Sequence, residues 1–230
     1  MPAGTDVWSR VVERLAGSPA SQGVADLATV SIVVSALEGA ALTELLASLA
    51  IACGAAGPEV IVVDGRPAES APLAVAGALA PRVVRSAGGG RAGARNTGMR
   101  AATSEWVVHL DEGLVVGAGW YDDLRDDLAR AGRAVAAVAA RARDAAGGHG
   151  RVPVDTDVAY RRLVALSVGG FQDRFPRAAC HGDVELIQHL ARAGWMVVSG
   201  SRTGAAPAPD RRSAGTGSPA PQPFAAERQG

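Results

Sequence analysis

The chain has 230 residues, no net charge at neutral pH and 23 basic side chains, every one of them arginine. That length suits one α/β domain with a full core, and the charge balance argues against a nucleic-acid binder that works by neutralising phosphates. With aromatics at 4% and alanine abundant, the core must be built from Val, Leu, Ile and Ala.

No basic stretch followed by an apolar one opens the chain, so no secretory signal is expected. The longest nearly apolar run, Leu45 to Gly57, is too short to span a bilayer. The expected setting is the cytoplasm, with no transmembrane segment. Residues 5–16 read as an amphipathic helix with Asp6 as cap, and residues 18–23 as a small-residue linker. Val30 to Val34 is a β-branched run, predicted as the first core strand. An alanine-leucine helix over Leu42 to Ile51 and a second strand, Val60 to Val63, follow; that strand ends on Asp64 and Gly65. Cys53 reads as a small core residue, and its distance from Cys180 suggests no disulfide framework.

A weak helix is expected over Ala71 to Leu79 and a weak strand over Arg82 to Val84. Gly88-Gly89-Gly90 then opens a helix from Arg91 to Ala102. Trp106 to Leu110 is a buried strand that runs into Asp111 and Glu112 and stops on Gly113. Trp120, Leu124, Leu128 and Ala131 recur at helical spacing. Val135 to Ala140 is predicted as a strand, Asp183 to Ala193 as a helix and Trp195 to Val198 as the last strand. Strand-helix alternation predicts an α/β fold with a largely parallel sheet. Domain organisation follows: an amphipathic helix and linker over residues 1–24, one domain over 25–203, and a tail over 204–230. The tail is too poor in apolar surface to offset its ordering entropy and is expected to be disordered.

Acids at strand ends in such sheets face the ligand crevice. Asp111 and Glu112 have the oxygen chemistry for a hard divalent cation and, through it, a diphosphate; they equally suit a solvated turn. Asp64 either accepts an N–H from a base or starts the Gly65-Arg66-Pro67 turn. Asp183 serves as a general base or as a helix cap. Arg91 and Arg95 flank a helix start that favours anions, or are exposed helix arginines. His109 is expected to point into packing. Gly88, Gly90 and Gly93 also fit G-x-G-x-x-G, with Asp111 placed like a ribose-binding acid, which keeps a nicotinamide-dependent oxidoreductase as a weaker alternative.

Several segments, in order, resemble family 2 glycosyltransferases. They are Val30-Ser31-Ile32-Val33-Val34, Glu59 to Asp64, Gly93-Ala94-Arg95-Asn96-Thr97-Gly98 (the A-R-N-x-G segment) and Glu105 to Asp111. Ala159-Tyr160-Arg161-Arg162, Val168-Gly169-Gly170-Phe171 with Phe175, Asp183-Val184-Glu185-Leu186 and Ala193-Gly194-Trp195 complete the series. The resemblance implies a GT-A-like α/β/α three-layer sandwich that binds a nucleotide-diphosphate sugar and transfers the sugar, with inversion, to a hydroxyl of an unidentified acceptor. It implies Asp183 as base, Asp64, Arg95, Asn96 and Asp111 as donor-binding residues, and Mg²⁺ or Mn²⁺ held by Asp111 and Glu112. The chain departs from the pattern at Gly65, Gly113, Gly182 and Ala206, where acids or a histidine ligand are usual. A catalytically impaired relative that binds without turnover is therefore the alternative.

Overall fold

The computed structural model describes residues 29–75, 77–141, 157–172 and 182–208, with the side chains of Gly182 and Asp183 excepted. The expected helix over residues 5–16, Cys180, Phe175 and residues 209–230 lie outside the described residues.

Seven strands form one sheet in the order β3-β2-β1-β4-β7-β6-β8. They are β1 (Val30–Ala36), β2 (Glu59–Asp64), β3 (Arg82–Arg85), β4 (Trp106–Asp111), β6 (Val135–Arg141), β7 (Val158–Arg161) and β8 (Met196–Thr203). Strand β1 pairs in parallel with β2 and β4, β2 with β3, and β6 with β8; β7 runs antiparallel to both β4 and β6. Two-residue strands β5 (Leu114–Val115) and β9 (Ala206–Pro207) pair separately.

All seven residues of β1 are buried, because helices cover both faces of a parallel strand and each face must be apolar. Helix α1 (Leu42–Cys53) buries Leu42, Leu45, Leu46 and Leu49 on one stripe, the helical period read from the sequence. It packs with α3 (Trp120–Arg130) on one face, around Ile32, Val34, Val62 and Leu110. Helix α2 (Gly90–Ala101) covers Val33, Ile61 and Val63 on the other. The short α4 (Arg162–Ser167) and α5 (Gly182–Arg192) continue that layer over β6 and β7, with Leu186 and Leu190 fully buried. Cys53 is buried in the first layer, and burial pushes its thiol up to about 11.

Three expectations need correction. Residues 71–75 and 77–81 are not helical. Pro72 biases Ala71 away from helical geometry, and Leu73, Val75 and Leu79 instead rest on the core as an irregular strap. Residues 204–208 belong to the fold, since β9 pairs with β5 and the Ala208 N–H donates to Gly113 at 2.7 Å. Helix α5 begins at Gly182, so Asp183 lies inside its first turn.

The far end of the sheet is tied by a buried arginine. Arg202 on β8 donates from Nε to Asp157 Oδ1 at 3.1 Å, from Nη1 to Asp127 Oδ2 at 3.4 Å and from Nη2 to the Val138 carbonyl at 3.2 Å. Asp157 Oδ2 in turn accepts the Trp120 indole N–H at 2.7 Å and the Ala205 N–H at 2.9 Å. Asp127 therefore sits on the buried side of α3, where the apolar period alone would not place it. Removing the cation strands two buried carboxylates. Arg202→Met is expected to lower unfolding free energy by about 3–5 kcal/mol, measured by urea denaturation; a loss under about 1 kcal/mol would contradict this network.

Candidate functional site

The carboxyl ends of β1, β2 and β4 share one edge of the sheet. Register sets Ala36 opposite Asp64 on one side of β1 and Ser35 opposite Asp111 on the other. Asp64 and Asp111 therefore end the two strands that flank β1, roughly two strand spacings or about 9–10 Å apart. They sit opposite successive residues of β1, so their side chains leave the sheet on opposite faces, Asp64 on the face of Val62 and Asp111 on that of Val107.

Asp64 is 3% exposed and fully engaged. Arg66 grips it in a fork, Nε to Oδ1 at 2.9 Å and Nη2 to Oδ2 at 3.0 Å, and Arg85 adds Nη1 to Oδ2 at 2.6 Å. The Arg66 hydrogen bonds, outweighing burial, hold this carboxyl down to about 2. The turn that sequence allowed here is present, and its arginine occupies the oxygens that a base N–H would use.

Asp111 meets two arginines through Oδ2: Arg95 Nη2 at 3.0 Å and Arg91 Nε at 3.4 Å. Arg95 is not an exposed helix arginine. It is 3% exposed, and its guanidinium stacks 5.3 Å from the Phe171 ring centre. Arg91, half exposed at the start of α2, keeps its exposed-helix character on one side while lining a cavity of about 240 Å³ with Ser35, Leu37, Glu38, Asp111 and Glu112.

Glu112 turns away from Asp111 in function. Its carboxylate accepts the backbone N–H groups of Leu37 and Glu38 at Oε1, at 2.6 and 2.5 Å, and of Gly39 at Oε2, at 2.6 Å. Three donors in a row make a concave anion seat, and a carboxylate of the chain itself fills it. Gly113 follows with φ +83, a left-handed backbone in which an L side chain is strained.

These residues do not fit a divalent cation. One oxygen of Asp111 is shared by two arginines, and both oxygens of Glu112 are taken by amides. The glycine after them has no ligand atom. Ala206, on β9 beside Val115, is close to this motif but has no donor either. Among the described residues, no three His, Cys, Asp or Glu side chains gather as a metal would require.

Asn96 lies one residue past Arg95 and serves a different contact. Its amide donates from Nδ2 to the Phe171 carbonyl at 2.8 Å and accepts the Phe171 N–H at Oδ1 at 2.9 Å. The clasp joins the A-R-N-x-G segment to the Val168-Gly169-Gly170-Phe171 segment. Gly170 makes it feasible, because a Cβ there would sit 2.4 Å from Asn96 Oδ1. Sequence reading missed this role. Two segments of one family pattern, each with a glycine, were the signal that could have found it.

His109 is buried as expected, edge-on to Phe171 at 4.9 Å between ring centres. Neither ring nitrogen has a hydrogen-bond partner. Burial first, and the Arg95 charge second, hold its pKa well below the usual histidine value. Asp183 is carried by α5, which packs behind β6 and β7; its side chain is outside the described residues. The G-x-G-x-x-G match follows β3, the outermost strand, so it lacks the crevice between neighbouring strands in which dinucleotides bind. No helix among the described residues is long and apolar enough to cross a membrane.

The family model described as "Glycosyl transferase family 2" matches residues 31–175. The crystal structure of S. aureus TarS 1-349 is similar at 15% identity and a TM-score of 0.58, over 77% of this chain and 59% of that one. A mannosyltransferase from Pyrobaculum calidifontis, in complex with GDP-Man and Mn²⁺, is similar at 20% identity and 0.58, over 89% of this chain and 64% of that one. Glucosyl-3-phosphoglycerate synthase from Mycobacterium tuberculosis, in complex with Mn²⁺, UDP and phosphoglyceric acid, is similar at 19% identity and 0.58, over 81% and 73%. The fold is thus the GT-A-like α/β/α sandwich, and this chain spans less than two thirds of the first two structures. A search of curated proteins finds no match.

A buried neutral histidine makes stability fall with acid. The unfolded chain takes up a proton below about pH 6.5 while the folded chain refuses it, so unfolding is favoured as pH drops, by up to about 1.4 kcal/mol per pH unit. Urea midpoints are expected to decline between pH 7 and 5, and His109→Phe to flatten that decline. An equal decline in the variant would assign the acid sensitivity to other groups.

Proposed function

This chain belongs to glycosyl transferase family 2, and from that footing we propose that it binds a nucleotide-diphosphate sugar along the Asp64–Asp111 edge and transfers the sugar to an acceptor hydroxyl with inversion. The observation that carries the reading is that the strands on either side of β1 end on Asp64 and Asp111 at the same carboxyl edge of the sheet. The clasp of Asn96 to Phe171 adds support, since it joins the donor-side and acceptor-side segments.

In the proposed reaction the acceptor oxygen attacks the anomeric carbon as the bond from that carbon to the diphosphate oxygen breaks. Asp183 takes the acceptor proton. Arg95 and Asn96 hold the floor of the site, Arg95 through Asp111 and Asn96 through Phe171. Asp64 organises Arg66 and Arg85 at the base end. The liganded relatives are consistent with this: GDP-Man accompanies the Pyrobaculum calidifontis enzyme and UDP the Mycobacterium tuberculosis one.

A second reading has its own observation. The acids usual in this family for holding a cation are committed here to arginines and amides, which favours a relative that binds donor without turnover. Calorimetric titration with UDP- and GDP-sugars tests the shared claim, and no heat of binding from any of them sinks both readings. Nucleotide release in the presence of candidate acceptors then separates the two. Asp183→Ala is expected to reduce release about 10²–10⁴-fold with donor affinity nearly unchanged. Binding with no release above the buffer rate, indifferent to Asp183→Ala, selects the impaired binder.

A further inference from the structure

We infer that this site takes the diphosphate of its nucleotide directly on Arg91, with no divalent cation between them. The inference rests on the proposed donor binding and narrows it. Three observations converge on the cavity of about 240 Å³ at the end of β1.

The first is that its carboxylates are already compensated. Asp111 is matched by the buried Arg95, and Glu112 by the amides of residues 37–39. A cation arriving here would find one free oxygen, Asp111 Oδ1, on an acid whose charge two arginines already match, and would reach Glu112 only by breaking three backbone hydrogen bonds. The second is Arg91 itself. It reaches Asp111 through Nε at 3.4 Å, a long contact that one acid already shares with Arg95, and it remains half exposed on the cavity wall. An anion can recruit such a guanidinium at little cost, and a diphosphate offers the bidentate geometry it prefers.

The third observation points to a ligand independently. Ser35 is 1% exposed, lines the same cavity, and its hydroxyl has no hydrogen-bond partner. Asp111 Oδ1 beside it is also buried and unpartnered. Buried polar atoms without partners carry a desolvation cost, and a phosphate oxygen accepting from Ser35 removes it. Asp111 Oδ1 needs a donor, which a hydroxyl of the nucleotide sugar supplies. The cavity thus offers one cation and one hydroxyl to an anion, and one acceptor to a hydroxyl. That set fits a glycosylated or ribosylated diphosphate better than a bare metal.

The test has two arms, run on the full chain. Electron paramagnetic resonance of Mn²⁺ titrated with the protein alone is expected to show only free ion at millimolar concentration. Calorimetry with UDP and GDP is expected to give the same affinity, within about twofold, in EDTA and in Mn²⁺. In EDTA, Arg91→Ala should weaken binding about tenfold or more, with Arg91→Lys intermediate and Ser35→Ala weaker than wild type. Thermal denaturation of each variant checks that it is folded. Bound Mn²⁺ in the first arm, nucleotide binding that needs Mn²⁺, or binding indifferent to Arg91→Ala each overturns the inference while leaving donor binding standing. Failure of both nucleotides and their sugars to bind under any condition overturns the donor-binding reading, and this inference with it.

Discussion

A carboxylate at the dry end of a parallel sheet must find an opposite charge or a set of donors, because an ionised group cannot be left unpaired in a medium of low polarity. Everything at this crevice follows from how that demand is met. Asp64 has two arginines, Asp111 has two more, and Glu112 has three amides. In a site organised by a metal, an ion would meet the same demand. Here the polypeptide meets it alone, so the crevice is assembled and electrically balanced before any ligand arrives.

That balance also explains where the loops lie. Residues 37–39 connect β1 to α1, and nothing in their own sequence compels their three N–H groups to converge. The Glu112 carboxylate gathers them, and the Gly113 N–H then donates to the Ala41 carbonyl at 3.3 Å. The next link is the β5–β9 pair, which returns the chain from β8 to the same place. Loop, acidic turn and returning strand form one connected rim.

Much of this was legible in the sequence, and the boundary has a physical cause. Strands β1, β2, β4 and β6 were readable because each is a mostly apolar run, valine-rich in every case, covered on both faces. Strand β7, Val-Ala-Tyr-Arg, was not: four mixed residues become a strand only by pairing with β4 and β6, both distant in sequence. The segment from Ala71 to Leu79 looked helical because alanine and leucine favour helices, while its place is decided by Leu73, Val75 and Leu79 resting on the core beside Leu42 and Leu46. At the site, Asp64 and Asp111 were visible as strand-end acids. The burial of Arg95 was hidden, since it depends on a carboxylate 16 residues away and a ring 76 positions on. Glu112 was hidden for the same reason, its donors lying 73 to 75 residues upstream.

The clasp between Asn96 and Phe171 carries an implication for how such a chain can drift. Both polar ends of one amide are satisfied by one backbone unit, and the approach is open only while position 170 lacks a Cβ. The two positions are therefore a coupled pair, and a change at either removes the advantage of keeping the other. Among homologous sequences, asparagine at 96 and glycine at 170 should be kept or lost together. The part of the domain that carries Gly170 and Phe171 cannot be exchanged by recombination without bringing its own partner for α2. What looks in one dimension like two short motifs is, in three, a single inherited joint.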